Sequence, residues 1–374
     1  MSVAARCAGL LGALLLLLAL DVVIARVDVF TPLVPDTRPT GLFTSINRQL
    51  TDVARALYGL PPGPPPVVIL GNSQMEALVR PLGALDLALA AAGAPAGTRA
   101  VSLCVFATAP TDAEVLTRRL GRLHPGIVLL GIAAPDVGTP LARARDMPVL
   151  QTFDIGFRDG LVAPAGVEER LDRWVRTVWH LYRYRRLFHD LVLPPAELRT
   201  PGAFLEAIHT PAEIFAGTYG AARAAELLAL RATWERTDRL EDFVRYVELL
   251  RGPDYLPGLR DRWHDLAPEP LQVEALRRTA AHVHAAGARL VWLLVPENPL
   301  WERDPVVGAE VAARSDAVAS QFLAEANALD VPLLDLRHAV PPAGFLDFNH
   351  VVYQSGALLD AIAGGLARQG VLGG

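Results

Sequence analysis

The chain has 374 residues, with 35 Lys plus Arg against 40 Asp plus Glu and a formal net charge of −5. Every basic position is arginine, and the acidic balance argues against a dedicated nucleic-acid binder, whose domain would carry a basic face. Cys7 and Cys104 lie in unrelated settings, one before an apolar run and one in a buried-strand pattern, so no disulfide framework is expected.

From Ala8 to Ala25 the chain is almost wholly apolar, flanked by Arg6 and Arg26 and interrupted only by Asp21. A run of that length is near the lower limit for a helix that crosses a bilayer and exceeds a typical signal-peptide core. The expectation for residues 1–27 is an N-terminal anchor with the rest outside the cytoplasm. A cleaved signal ending at Val23-Ile24-Ala25 is the alternative. Residues 28–65 form a juxtamembrane segment with a short helix over Ile46 to Tyr58, and the prolines from Pro61 to Pro66 make a stiff spacer.

Val67 to Leu70 is a short apolar run without polar alternation, the pattern of a strand buried on both faces of a parallel sheet. Gly71 allows a tight turn, and Asn72 and Ser73 follow at the start of a helix. A hydroxyl placed there is either a helix cap or a nucleophile beside backbone N–H groups. Strands are expected again over Arg99 to Val105 and Pro125 to Gly131, followed by the loops Phe106 to Asp112 and Ile132 to Asp136.

Between about 138 and 270 the pattern turns helical, with helices over Val167 to Leu191, Ala221 to Arg231 and Leu240 to Leu250. Arg183, Arg185 and Arg186 stand among Tyr182, Tyr184 and Phe188. They read either as arginines snorkelling over packed aromatics or as a polyanion or glycan contact. Strand-helix alternation then resumes: helix Gln272 to Ala286, strand Arg289 to Val295, a turn at Pro296 to Pro299, helix Val306 to Leu329, strand Val331 to Leu336 and helix Gln354 to Gln369. Glu297 or Asn298 could reach substrate from that turn. His282 and His284 are two apart and point away from each other on a helix, so no metal site is expected. No glycine-rich phosphate loop is present, and no cofactor is expected.

After the last strand come Asp347 and His350, three residues apart. That spacing lets the carboxylate hold one imidazole nitrogen while the other faces outward as a base, with Asp335 a rival orienter. At this point the chain resembles the SGNH/GDSL hydrolase superfamily, in particular its extracytoplasmic, membrane-anchored members. Gly71-Asn72-Ser73 is similar to the Gly-Asp-Ser block of that family, and Asp347-x-x-His350 to its C-terminal Asp-x-x-His block. The resemblance implies Ser73 as nucleophile, His350 as base and Asp347 as orienter.

It also implies an oxyanion glycine after the second strand and a Gly-x-Asn-Asp block after the third. This chain has Ala107 and Thr108 at the first place. At the second it keeps Gly131 and Asp136 but has no asparagine. Asn72, Thr108, Gly131, Asp136 and Asn298 are therefore the expected oxyanion or substrate-binding positions. The implied fold is a flavodoxin-like three-layer α/β/α domain over 66–374, with a parallel sheet, the helical insertion and an N-terminal transmembrane helix. The implied activity is acyl ester hydrolysis or O-acyl transfer on a cell-envelope polysaccharide, with an acyl-bearing glycan or small ester as substrate and a membrane-bound acyl donor as one option. A non-catalytic envelope scaffold is the alternative.

Overall fold

Strand β1, Val67–Leu70, consists of four apolar residues that are all buried, which requires cover on both faces. Its neighbours supply it. With β2 (Ala100–Ser102), β3 (Ile127–Ile132), β4 (Arg289–Leu294) and β5 (Leu333–Asp335), it forms one parallel five-stranded sheet in the order β2-β1-β3-β4-β5. The computed structural model describes residues 3–26, 53, 63–105, 108–138, 166–183, 211–264, 266–352 and 356–372. Of the helix expected over Ile46 to Tyr58, only Val53 falls within them.

Strand β2 is shorter than the run from Arg99 to Val105, yet the chain stays beside β1. Leu103 N–H donates to Ile69 O at 2.8 Å and Val105 N–H to Gly71 O at 3.1 Å. All strands point the same way, so the carboxyl ends of β1, β3 and β4 share one edge of the sheet.

The helices are α1 (Val3–Arg26), α2 (Ser73–Val79), α3 (Leu82–Ala91), α4 (Pro110–Thr117), α5 (Ala134–Val137), α6 (Val167–Val178), α7 (His180–Arg183), α8 (Pro211–Tyr219), α9 (Ala221–Thr237), α10 (Leu240–Arg251), α11 (Tyr255–His264), α12 (Pro270–Ala285), α13 (Gly308–Ala328) and α14 (Gly356–Arg368). Where one helix was expected after β1 there are two, because Pro81 lacks the N–H needed to continue α2. The insertion contains α6 to α11. Val167 to Leu191 is helical as far as Val178 and again over His180–Arg183, and the remainder of that span lies outside the described residues, as do Tyr184, Arg185, Arg186 and Phe188.

Two glycines bring α2 close to the sheet. A Cβ on Gly131 would lie 2.4 Å from the Met75 sulfur, and one on Gly71, at φ +151, would lie 2.7 Å from Met75 Cβ. Any larger residue at either place would push the start of α2 away from the sheet edge.

Among the described residues no helix is long and apolar enough to cross a membrane.

Candidate active site

Ser73 opens α2. The Asn72 side chain caps this helix, its Oδ1 accepting from Gln74 N–H at 2.8 Å and Met75 N–H at 3.3 Å. The other end of the same amide donates from Nδ2 to Asp136 Oδ2 at 2.8 Å, and that oxygen also accepts the Ala133 N–H at 3.2 Å. Asn72 and Asp136 thus tie the ends of β1 and β3 together. Both reach the site by holding backbone, and the Ala133 N–H is already engaged.

His350 Nε2 lies 2.8 Å from Ser73 Oγ, across 277 positions of sequence. Its Nδ1 lies 3.0 and 2.9 Å from the two oxygens of Asp347. Asp347 Oδ1 also accepts the N–H groups of Asn349 at 2.7 Å and His350 at 2.8 Å, a local turn in which the carboxylate caps its own loop. An unprotonated Nδ1 would face two anionic oxygens, so the proton belongs on Nδ1, leaving Nε2 free to accept from the serine hydroxyl.

The loop carrying Asp347 and His350 is closed by a bridge between Phe345 and Val351 and by Leu346 N–H donating to His350 O at 2.7 Å. Its carbonyls are held by the insertion. Arg231 of α9 donates to Phe345 O at 2.8 Å and Ala343 O at 2.6 Å, and the Tyr246 hydroxyl of α10 donates to Leu346 O at 2.7 Å. Asn298 Nδ2 donates to Asp347 O at 3.1 Å, and Phe348 packs on Trp301 and Phe243 with ring centroids 4.5 and 4.9 Å apart.

Arg251, the last residue of α10, reaches the carboxylate itself. Its Nε and Nη2 donate to Asp347 Oδ2 at 2.8 and 2.5 Å, and Nη2 stands 2.9 Å from His350 Nδ1. The guanidinium carbon sits 5.0 Å from the centre of the Tyr255 ring. Burial would push the Asp347 carboxyl up, but His350, Arg251 and the loop N–H groups outweigh it and hold the carboxyl well below the usual range. Asp347 therefore stays ionised while shared between two partners. When His350 gains a proton, Arg251 opposes the new charge and Asp347 stabilises it.

These groups open onto a cleft of about 430 Å³ lined by Ser73, Gln74, Arg251, Tyr255, Arg262 and Trp263 among others, a volume suited to a small ligand or a short stretch of polymer. Gln74 Oε1 is buried here without a hydrogen-bond partner.

Of the expected positions, Ser73, His350, Asn72 and Asp136 line this cleft, and Asp347 lies just behind His350. The other three do not reach it. Thr108 lines a smaller cavity that shares Asn72 and Asp136 with the cleft, its hydroxyl 3.1 Å from Gly71 O and 2.9 Å from Val105 O, so its donor is directed at backbone. Gly131 lies inside β3 in register with Leu293. Asn298 is 1 % exposed, with Oδ1 accepting Leu300 N–H at 3.0 Å, so it supports the Asp347 loop from behind. Asp335, the rival orienter, pairs with Arg337 at 2.9 Å.

Arg231, Tyr246 and Arg251 were not identified from sequence. One signal was readable: Ala224, Leu227, Arg231 and Trp234 share the buried stripe of α9, and an arginine on such a stripe needs an acceptor. Among the described residues no group of three or more His, Cys, Asp or Glu could hold a metal ion. Compared with known proteins, the chain matches no family model and no curated sequence.

Proposed function

We propose that this protein is a serine-dependent acyl ester hydrolase or O-acyltransferase of the SGNH type, acting outside the cytoplasm on an acyl-bearing glycan of the cell envelope or on a small ester. One observation carries the reading: His350 Nε2 at 2.8 Å from Ser73 Oγ, with Asp347 on Nδ1. In this reading Ser73 attacks the acyl carbonyl as His350 takes its proton, and Asp347 stabilises the imidazolium. The acyl group then passes from Ser73 to water or to a sugar hydroxyl. Ser73 N–H at the start of α2 supplies one donor to the oxyanion. The strand order is that of the flavodoxin-like class, in which ligands sit outside the carboxyl ends of the strands, and this supports placing the site there. An apolar N-terminal helix supports attachment to a membrane.

Hydrolysis of a chromogenic acetyl ester, with and without a polysaccharide acceptor, tests the reaction class. Release of free acetate alone means an esterase. Acceptor-dependent loss of acetate into polymer means a transferase. No turnover in a folded sample, and none in which Ser73→Ala differs from the parent, rejects both. A second reading, a binding or scaffold protein that keeps the fold, is favoured by Arg251 beside Nδ1 and by the absence of the oxyanion glycine and asparagine that the resemblance implies. The same assay decides for it when the parent is inactive but binds polymer.

A further inference from the structure

Helix α6 carries its large apolar residues on the outside. Val167, Leu171, Trp174 and Val178 recur at steps of four, three and four, which places them on one face, and they are 73, 59, 62 and 51 % exposed. Trp179, the residue that follows the helix, is exposed as well. On the other side of the helix Arg176 pairs with Asp172 at 2.7 Å, and the Tyr182 hydroxyl donates to Asp172 at 2.9 Å. An exposed apolar stripe of this length marks a contact surface.

What covers it follows from its neighbour. Helix α7 packs against both α1 and α6. Asp21 of α1 fixes the junction, its Oδ1 accepting Leu181 N–H at 2.6 Å and its Oδ2 lying 3.1 Å from His180 Nδ1. On α1 itself the consecutive leucines Leu14 to Leu18 are all exposed, which at 100° per residue covers every side of the helix. A second protein copy would bury one side of such a helix and leave the rest in water, whereas lipid surrounds it. Asp21, 6 % exposed inside the apolar run from Ala8 to Ala25, is satisfied by Leu181 N–H and the His180 ring rather than by solvent, which lets a carboxylate sit within that run. The stacked rings of Trp179 and Tyr182, 6.0 Å apart, are the amphipathic side chains that favour the headgroup level.

We propose that α6 is an interfacial helix: its stripe from Val167 to Val178 lies in the boundary between headgroups and acyl chains of a lipid bilayer, beside α1, and forms a second membrane contact. A helix of this kind binds through its buried apolar area. The inference is independent of the catalytic reading.

The test uses the full chain in phosphatidylcholine vesicles, with plain or brominated acyl chains, and follows tryptophan emission. Trp234, Trp263, Trp292 and Trp301 are at most 3 % exposed, so quenching by acyl bromine reports on Trp174 and Trp179. The expected result is loss of emission in brominated vesicles that disappears in the Trp174→Phe/Trp179→Phe variant. Leu171→Glu, which leaves α1 intact, should also remove it while the protein stays vesicle-bound. Equal emission in both lipids for vesicle-bound protein overturns the proposal. So does spontaneous disulfide linkage of Trp174→Cys chains with no quenching of Trp179, which would place a second copy on the stripe.

Discussion

The two halves of the candidate site are held in place by different means. Ser73 is positioned mostly locally: a buried strand, a close glycine turn and an Asn72 cap deliver it to the sheet edge, and the distant contributors, Gly131 and Asp136, both belong to the neighbouring strand β3 and the turn after it. His350 is positioned at long range. Its loop hangs from Arg231, Tyr246, Arg251 and Asn298, contacts that span between 49 and 114 positions of sequence. The nucleophile is thus a property of the α/β sheet, and the base is a property of the helical insertion packed onto it. Damage to the insertion should therefore disable the base while leaving the serine where it is.

The sharpest break is at Asp347. Asp347→Asn should cut any acyl transfer by about 10⁴-fold, because His350 loses the acceptor that fixes its tautomer. Asp347→Ala should in addition lower stability by about 3 to 5 kcal/mol in denaturant melts, because Arg251 is left buried without its partner.

Next comes Arg231→Met, which removes the charged donors to two loop carbonyls. It should cost about 3 kcal/mol and release the His350 loop, seen as faster amide exchange over 343–351 with unchanged exchange in α2. Equal loosening on both sides would erase the distinction between the two halves.

Arg251→Gln separates stability from reactivity. Stability should fall by about 3 kcal/mol as the buried pair is broken, while the rate per folded molecule rises about tenfold, because the imidazolium no longer faces a second cation. A fall in both would make Arg251 a support for Asp347 alone.

The smallest effect is a pH dependence beside Asn298. The half-buried Glu297 carboxyl, hydrogen-bonded by Ser315 at 2.6 Å, is pushed up to about 7 from an ordinary 4.5 by loss of solvation, with Asp335 and Asp316 adding and Ser315 and Arg337 opposing. Its folded value is the higher one, so the folded state holds the extra proton between these limits. Stability should therefore decline as pH rises from 4.5 to about 7 and then level off. Asp347 acts in the opposite sense, its contribution being lost as pH falls below the ordinary carboxylate value of 3.8. Melting temperatures across this range, in the parent and in Glu297→Gln, check the slope, which the variant should flatten.

What could be read from the chain follows the same division. The strands were legible because buried parallel strands are continuous apolar runs. Ser73, Asp347 and His350 were legible because each sits at a strand's carboxyl end or just beyond one. Thr108 and Asn298 were assigned to substrate from their loops, but each has its polar atoms turned to backbone, a satisfaction that no local pattern displays. Arg251 ends a helix, where an arginine ordinarily meets solvent and the helix dipole, so nothing nearby in sequence announces its carboxylate 96 positions away. The stripe of α6 was legible as one apolar face of a helix, but periodicity does not say what covers such a face.

The central claim is that the insertion-held His350 makes Ser73 nucleophilic. The most direct measurement is the intact mass of the full-length protein after exposure to a fluorophosphonate. The account predicts one phosphonyl adduct on Ser73, absent in Ser73→Ala and in His350→Ala with both variants folded. A folded parent that takes up no adduct, or one labelled equally well without His350, would contradict it.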